Sequence, residues 1–323
     1  MKKHRLFKAA AFGTAVYAGV CGLLHYEIFN RKATIPGKIY ESSRPKPAND
    51  TAPQPEDERL AWMKAQQFTE YTLQNADGQT LKAFFLPADT DSDRYAICSH
   101  GYRCHGRREF RYITKFYHDR GFNVLMVDHR AHGDSEGAWI TFGKKESEDL
   151  LLWIDWVKSE KNADAQIVLH GVSMGAATVL MLSDRTEILP NVKYIVSDCA
   201  FTTVYDQFRS VIEKTRIPFR PLFAGVDVVN RALTGFSLQD ASPITHVQNA
   251  CVPILFVHGA ADDFVPTEMG KINYEACTSE KDLLLVDGAG HAESYQTDSA
   301  AYDAKMEAFM DKYLSASPSV RHE

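Results

Sequence analysis

The sequence predicts an α/β fold: a mostly parallel, eight-stranded sheet flanked by helices, with a short helical cap insert. Three observations carry this. Short runs of continuous apolar residues recur from Tyr95 to Gly288, as expected of strands buried on both faces. Segments of helical periodicity separate the runs, and that alternation calls for right-handed crossovers between parallel strands. One strand-to-helix junction, "VLHGVSMGAA" (Val168–Ala177), sets Ser173 between Gly171 and Gly175.

The elements follow in order. "FTEYTLQ" (Phe68–Gln74) and "TLKAFFL" (Thr80–Leu86) are strands around Asp77-Gly78, a strong hairpin signal. The buried strands are "YAICSH" (Tyr95–His100), "FNVLMVD" (Phe122–Asp128), "QIVLHG" (Gln166–Gly171), "YIVSD" (Tyr194–Asp198), "ILFVHG" (Ile254–Gly259) and "LLLVDG" (Leu283–Gly288). "REFRYITKFYHDRG", "ESEDLLLWIDWVKSE", "SMGAATVLMLSD", "TEMGKINYEACTS" and "SAAYDAKMEAFMDKYLS" are helices between or after them. The connection from "YIVSD" to "ILFVHG" is too long for a simple crossover and predicts a helical cap over about residues 200–250. Its aromatics Phe208, Phe219, Phe223 and Phe236 are candidates for an apolar substrate wall.

At 323 residues, the chain can bury a large α/β core without a disulfide framework. Its six cysteines have no repeated spacing and read as buried small hydrophobes. A net charge of -6 argues against nucleic acid as the main partner. Cys98, His100, Cys104 and His105 lack a second ligand pair at finger spacing, so no metal is expected, and no cofactor.

The N-terminus reads differently. "MKKHRLFK" is basic, and the sixteen residues Ala9–Leu24 carry no charge. A spanning helix needs about 20 residues, and "HYEIF" extends the run, with Tyr26 as an interfacial anchor. Residues 1–33 are therefore expected to be a single-pass membrane anchor, with the globular domain outside the cytoplasm. A cleaved signal with a secreted protein is one alternative, and a buried amphipathic helix is the other. Residues 34–56, rich in Pro, Ser, Asn and Lys, read as a linker to a domain over 57–323.

Ser173 lies where a sharp turn out of a strand exposes a hydroxyl, and the two glycines remove side chains where backbones approach. A serine hydroxyl needs a base within hydrogen-bonding reach. Candidates follow later strands: "HGAADDFVP" holds Asp262 and Asp263, and "DGAGHAES" holds His291. Loops at the carboxyl ends of parallel strands gather at one edge, so distant residues can meet there.

The motifs "SHGYRCHG", "DHRAHGDSEG", "HGVSMGAA", "HGAADDFVP" and "GAGHAES" resemble the α/β-hydrolase superfamily, in particular its bacterial serine-aminopeptidase-like and prolyl-oligopeptidase-related branch, over about Thr69 to Leu314. The resemblance implies an α/β-hydrolase fold and a serine hydrolase acting on an ester or thioester. A peptidase on short peptides and a membrane-tethered, non-catalytic binding protein are the alternatives. It makes Ser173 the nucleophile and His291 the general base. Asp262 would be the triad acid, with adjacent Asp263 its rival. The oxyanion donors would be the backbone N–H groups of Met174 and Tyr102. "DHRAHGDSEG" is expected to organise a turn through an Asp128–Arg130 ion pair, with His132 and His258 structural. Arg103, Arg107 and Arg108 read as an exposed basic helix start.

Overall fold

A computed structural model describes residues 2–34, 58–215 and 217–315. All eight expected strands form: β1 (Thr69–Gln74), β2 (Thr80–Leu86), β3 (Arg94–Ser99), β4 (Asn123–Asp128), β5 (Gln166–Val172), β6 (Val192–Asp198), β7 (Ile254–Gly259) and β8 (Lys281–Val286). They make one sheet in the order β1-β2-β4-β3-β5-β6-β7-β8. The β1–β2 and β2–β4 pairs are antiparallel, and every pair from β4 to β8 is parallel. The chain runs from β3 outward to β4 and returns to the other side of β3 as β5, so the winding reverses between β3 and β5. Open α/β sheets place their ligand crevice at such a reversal.

Among the described residues, eight helices have seven residues or more: α1 (Lys2–Phe29), α2 (Glu58–Ala65), α3 (Lys144–Trp156), α4 (Met174–Leu180), α5 (Val204–Ile212), α6 (Phe219–Thr234), α7 (Thr267–Ala276) and α8 (Ser299–Tyr313). The strands' two faces feed separate cores. Ile167 and Leu169 of β5 join Trp153 of α3 on one side, while Val168 joins Tyr194, Tyr302 and Phe309 on the other. The segment expected to be one helix after Arg107 is two short ones, Gly106–Glu109 and Thr114–His118.

The insert between β6 and β7 contains α5 and α6. With the end of α1 they enclose a third apolar cluster that includes Cys21, Phe29, Phe142, Phe201, Phe219 and Phe223.

The membrane anchor is an expectation that fails. No helix among the described residues is long and apolar enough to cross a membrane. Of the sixteen residues Ala9–Leu24, eight are Ala or Gly, and polar His25, Glu27 and Asn30 follow at once. The helix from Ala11 to Val20 is exposed, but Cys21, His25 and Phe29 are buried at i, i+4 spacing against the domain. α1 crosses α6 at Gly225, where an added Cβ would lie 2.4 Å from Cys21 Sγ. His25 Nε2 bonds Asn230 Oδ1 of α6 at 3.1 Å. Past the helix, Ile140 N–H donates to Phe29 O (2.7 Å) and Arg31 N–H to Ala138 O (3.0 Å). The apolar run is thus partly a packing stripe for α6. Apart from Thr34, the expected linker over 34–56 lies outside the described residues.

Candidate active site

Ser173 follows β5 with φ 57° and ψ −116°, a left-handed conformation that is strained for a residue with a side chain. The glycines around it are sterically required. A Cβ on Gly171 would lie 2.2 Å from Gly175 O, and one on Gly175 would lie 1.8 Å from Ser99 O. Ser173 N–H donates to Asp198 O on the neighbouring β6 (2.8 Å), which fixes the turn against the sheet. Ser173 is the N-cap residue of α4, yet its side chain makes no capping bond. Its Oγ lies instead 2.8 Å from His291 Nε2.

His291 follows β8, and Asp262 follows β7. A carboxylate only accepts, so His291 Nδ1–H donates to Asp262 Oδ2 at 2.7 Å. That tautomer leaves Nε2 free to take the Ser173 proton. Asp262 Oδ1 accepts from Phe264 N–H (3.0 Å) and Val265 N–H (2.9 Å), so the carboxylate cannot swivel freely. Burial alone would raise the Asp262 pKa. Hydrogen bonds from His258 and His291 outweigh it and hold the carboxyl well below the usual carboxylate range. Asp263 is exposed, and its backbone carbonyl accepts from Lys214 Nζ at 2.8 Å. Of the two adjacent acids, Asp262 is the one that meets His291.

The loop after β3 runs beside the serine: a Cβ on Gly101 would lie 3.3 Å from Ser173 Cβ. Tyr102 follows directly, and Met174 opens α4, where the first N–H groups have no partner inside the helix. The Tyr102 ring stacks on Phe142 (centroids 5.2 Å apart), and its hydroxyl donates to Ile28 O in α1 (2.6 Å). Ser173 opens into a cavity of about 250 Å³ lined by Ile28, Tyr102, Phe142, Phe201, Phe208 and Phe264; among the described residues, Gln207 is the only lining polar side chain besides the serine and the Tyr102 hydroxyl. Of the four cap aromatics singled out in the sequence, Phe208 lines this cavity. Phe219 and Phe223 pack the cap, with ring centroids 5.5 Å apart.

Other expectations divide. Arg130 does not pair with Asp128. Its guanidinium binds Asp149 (2.5 and 2.6 Å) and Asp77 (2.6 Å). Asp128 instead accepts from the N–H groups of Gly106 (2.8 Å) and Asp134 (2.9 Å). Nor is Arg103 part of an exposed basic helix start: it is half-buried, and its guanidinium donates to backbone carbonyls in the last turn of α1 and just beyond it. The sequence passed over Ile28 and misassigned Arg103 because nothing local marks a partner about 70 residues away.

Behind the site lies a buried titratable chain. Tyr117 Oη and His170 Nδ1 are 2.9 Å apart, and His170 Nε2 and Tyr302 Oη are 3.1 Å apart. Tyr302 then donates to Asp198 Oδ2 at 3.2 Å. Burial pushes His170 down to about 3 and Asp198 up to about 6. It also lowers His100, His129 and His132. Below about pH 6.5 the unfolded chain takes up protons at these histidines and the folded chain does not, so stability falls as pH falls. At pH 5 His170 alone contributes a loss of about 2 kcal/mol, whereas Asp198, protonated early in the folded state, returns about 1.5 kcal/mol. The other histidines act in the same direction as His170 and enlarge the loss. Melting curves should show Tm falling from pH 7 to pH 5. A constant or rising Tm would mean these histidines are not held neutral.

Comparison with known proteins bears on the family and the fold. Residues 108–317 match the prolyl oligopeptidase family. The uncharacterized protein YqkD of Bacillus subtilis is 28% identical over 244 residues, covering 75% of this chain and 79% of its own length. The uncharacterized protein YfhR of Escherichia coli is 23% identical over 243 residues, covering 74% and 78%. Among solved structures, an esterase of Pyrococcus furiosus superposes with a TM-score of 0.61 at 20% identity, covering 84% of this chain and 97% of its own. That likeness carries the fold, while the family match spans well over half of the sequence and includes all three residues of the hydrogen-bonded chain from Ser173 to Asp262. The chain has the α/β-hydrolase fold and belongs to the prolyl oligopeptidase family.

Proposed function

We propose that the protein is a serine hydrolase that cleaves ester or thioester acyl bonds through a Ser173–His291–Asp262 triad and an acyl-enzyme intermediate. The observation that carries this is the continuous hydrogen-bonded chain from an uncapped, strained serine to a buried ionised carboxylate, opening on an apolar cavity. Ser173 Oγ attacks the acyl carbon as its proton passes to His291 Nε2. Asp262 stabilises the imidazolium that forms. The N–H groups of Met174 and Tyr102 receive the negative charge developing on the carbonyl oxygen. His291 then protonates the leaving group, and water attacks the acyl-enzyme by the same route in reverse. Residues 57–323 are the catalytic domain, with about 200–250 as its cap.

The cavity supports an acyl group over a charged one. An apolar cavity of about 150 Å³ holds benzene, so about 250 Å³ suits a short to medium acyl chain. Among the described residues, no carboxylate lines it to receive a peptide's ammonium group. The family match is what favours the second reading, a peptidase on short peptides.

A panel of p-nitrophenyl esters run beside aminoacyl anilides tests both. Each buried methylene is worth about 0.8 kcal/mol, so kcat/KM should rise roughly fourfold per methylene, or ~15-fold from acetate to butyrate, and fall again at palmitate. Faster cleavage of the anilides would favour the peptidase. Failure of the folded protein to take a fluorophosphonate at Ser173 would leave only a binding role.

A further inference from the structure

We propose that Arg103 is a positioning residue through which the end of α1 holds the oxyanion loop, so that α1 is a working part of the site. This rests on the triad reading above. Arg103 directly follows Tyr102 and is itself left-handed, with φ 54°. Its Nη1 donates to Ala33 O (2.7 Å), and its Nη2 to Glu27 O and Asn30 O (both 3.0 Å). Its Nε donates to the Tyr102 hydroxyl (2.8 Å), which donates onward to Ile28 O (2.6 Å).

The last carbonyls of a helix have no partner within it and form its negative end, so a guanidinium is suited to that place. Here one side chain serves the helix end and the preceding residue of the loop at the same time. The arrangement can set position only if the helix end is itself fixed, and it is. Arg31 Nη1 donates to Ser135 O (2.6 Å) and Nη2 to Gly133 O (2.9 Å), in addition to the backbone bonds of Phe29 and Arg31 to the 138–140 segment. The loop is thereby anchored to the domain by a second route, independent of β3.

The consequence is kinetic. Displacing a group of the reacting constellation by about 1 Å costs on the order of 100-fold, and an oxyanion donor acts only where charge develops. A residue that merely stabilised the fold would alter Tm and leave transition-state binding intact.

The test uses full-length R103A and R103K. Readouts are kcat and KM on p-nitrophenyl butyrate, Ki for n-butylboronic acid, Tm, and amide hydrogen exchange across residues 100–105. The boronic acid becomes a tetrahedral anion when Ser173 Oγ bonds boron and its proton passes to His291, so it reports on the same N–H groups. R103A should lower kcat about 100-fold, leave KM within about threefold, and raise Ki by the same factor as kcat falls. Exchange in the loop should quicken. R103K, with a charge but no fork, should lie between R103A and wild type and decides the matter if R103A does not fold. Unchanged kcat and Ki, or a loss of kcat with Ki unchanged, would overturn the proposal. If the wild-type chain cleaves no ester and takes no fluorophosphonate, the triad reading has failed. Loop exchange then decides the clamp by itself: faster exchange confined to 100–105 upholds it, and unchanged exchange overturns it.

Discussion

Replacing Ser173 with alanine is expected to remove nearly all turnover while leaving the fold intact. Members of a triad act as a unit, so loss of the nucleophile should lower kcat by a factor on the order of 10⁶. That corresponds to about 8 kcal/mol of lost transition-state stabilisation. The fold should tolerate the change because the hydroxyl caps nothing: α4 gets no side-chain bond from Ser173, and the backbone bond from Ser173 N–H to Asp198 O survives. Alanine meets the same left-handed strain that serine does, so the strain term cancels in the comparison. Far-UV circular dichroism and Tm should therefore match wild type within a few degrees. A variant that kept a tenth of the activity would show that Ser173 is not the nucleophile.

The strands were legible because burial on both faces leaves a local trace, a continuous apolar run. Their order was not. Nothing within "FNVLMVD" tells β4 to lie between β2 and β3, since that follows from how crossovers pack and not from the strand's own residues. The Ser173 turn was legible for a steric reason: only glycine fits at Gly171 and Gly175, and so the pattern is written in the sequence. Pairings between distant residues left no such mark. Asp128 and Arg130 are two apart and look like an ion pair. Arg130 belongs instead to Asp149 and Asp77, which reach it from elsewhere in the fold. The same blindness produced the anchor. Hydropathy counts an apolar run without asking what covers it, and Gly225 and Asn230 of α6, about 200 residues away, cover part of this one.

Asp262→Asn should be far more damaging than Asp263→Asn. Two backbone donors, Phe264 N–H and Val265 N–H, point at Asp262 Oδ1. An asparagine would keep its carbonyl oxygen on them and turn its NH₂ toward His291 Nδ1 and His258 Nε2, where the carboxylate Oδ2 now accepts. His291 Nδ1 would then have to accept. The imidazole proton would move to Nε2, and the ring could no longer take the proton of Ser173. In the best-studied triad this change of tautomer costs about 10⁴ in kcat with the geometry kept. Stability should also suffer, because Asp262 is buried and two histidines bond its charged form. For that reason kcat should be measured below the variant's melting range. Asp263 is exposed, and its one contact with Lys214 uses the backbone carbonyl, which asparagine retains. Its replacement should change kcat by no more than about threefold, in line with surface substitutions. Should Asp263→Asn prove the more damaging of the two, the acid in the mechanism would be Asp263 and the hydrogen bond from His291 to Asp262 would have a structural purpose.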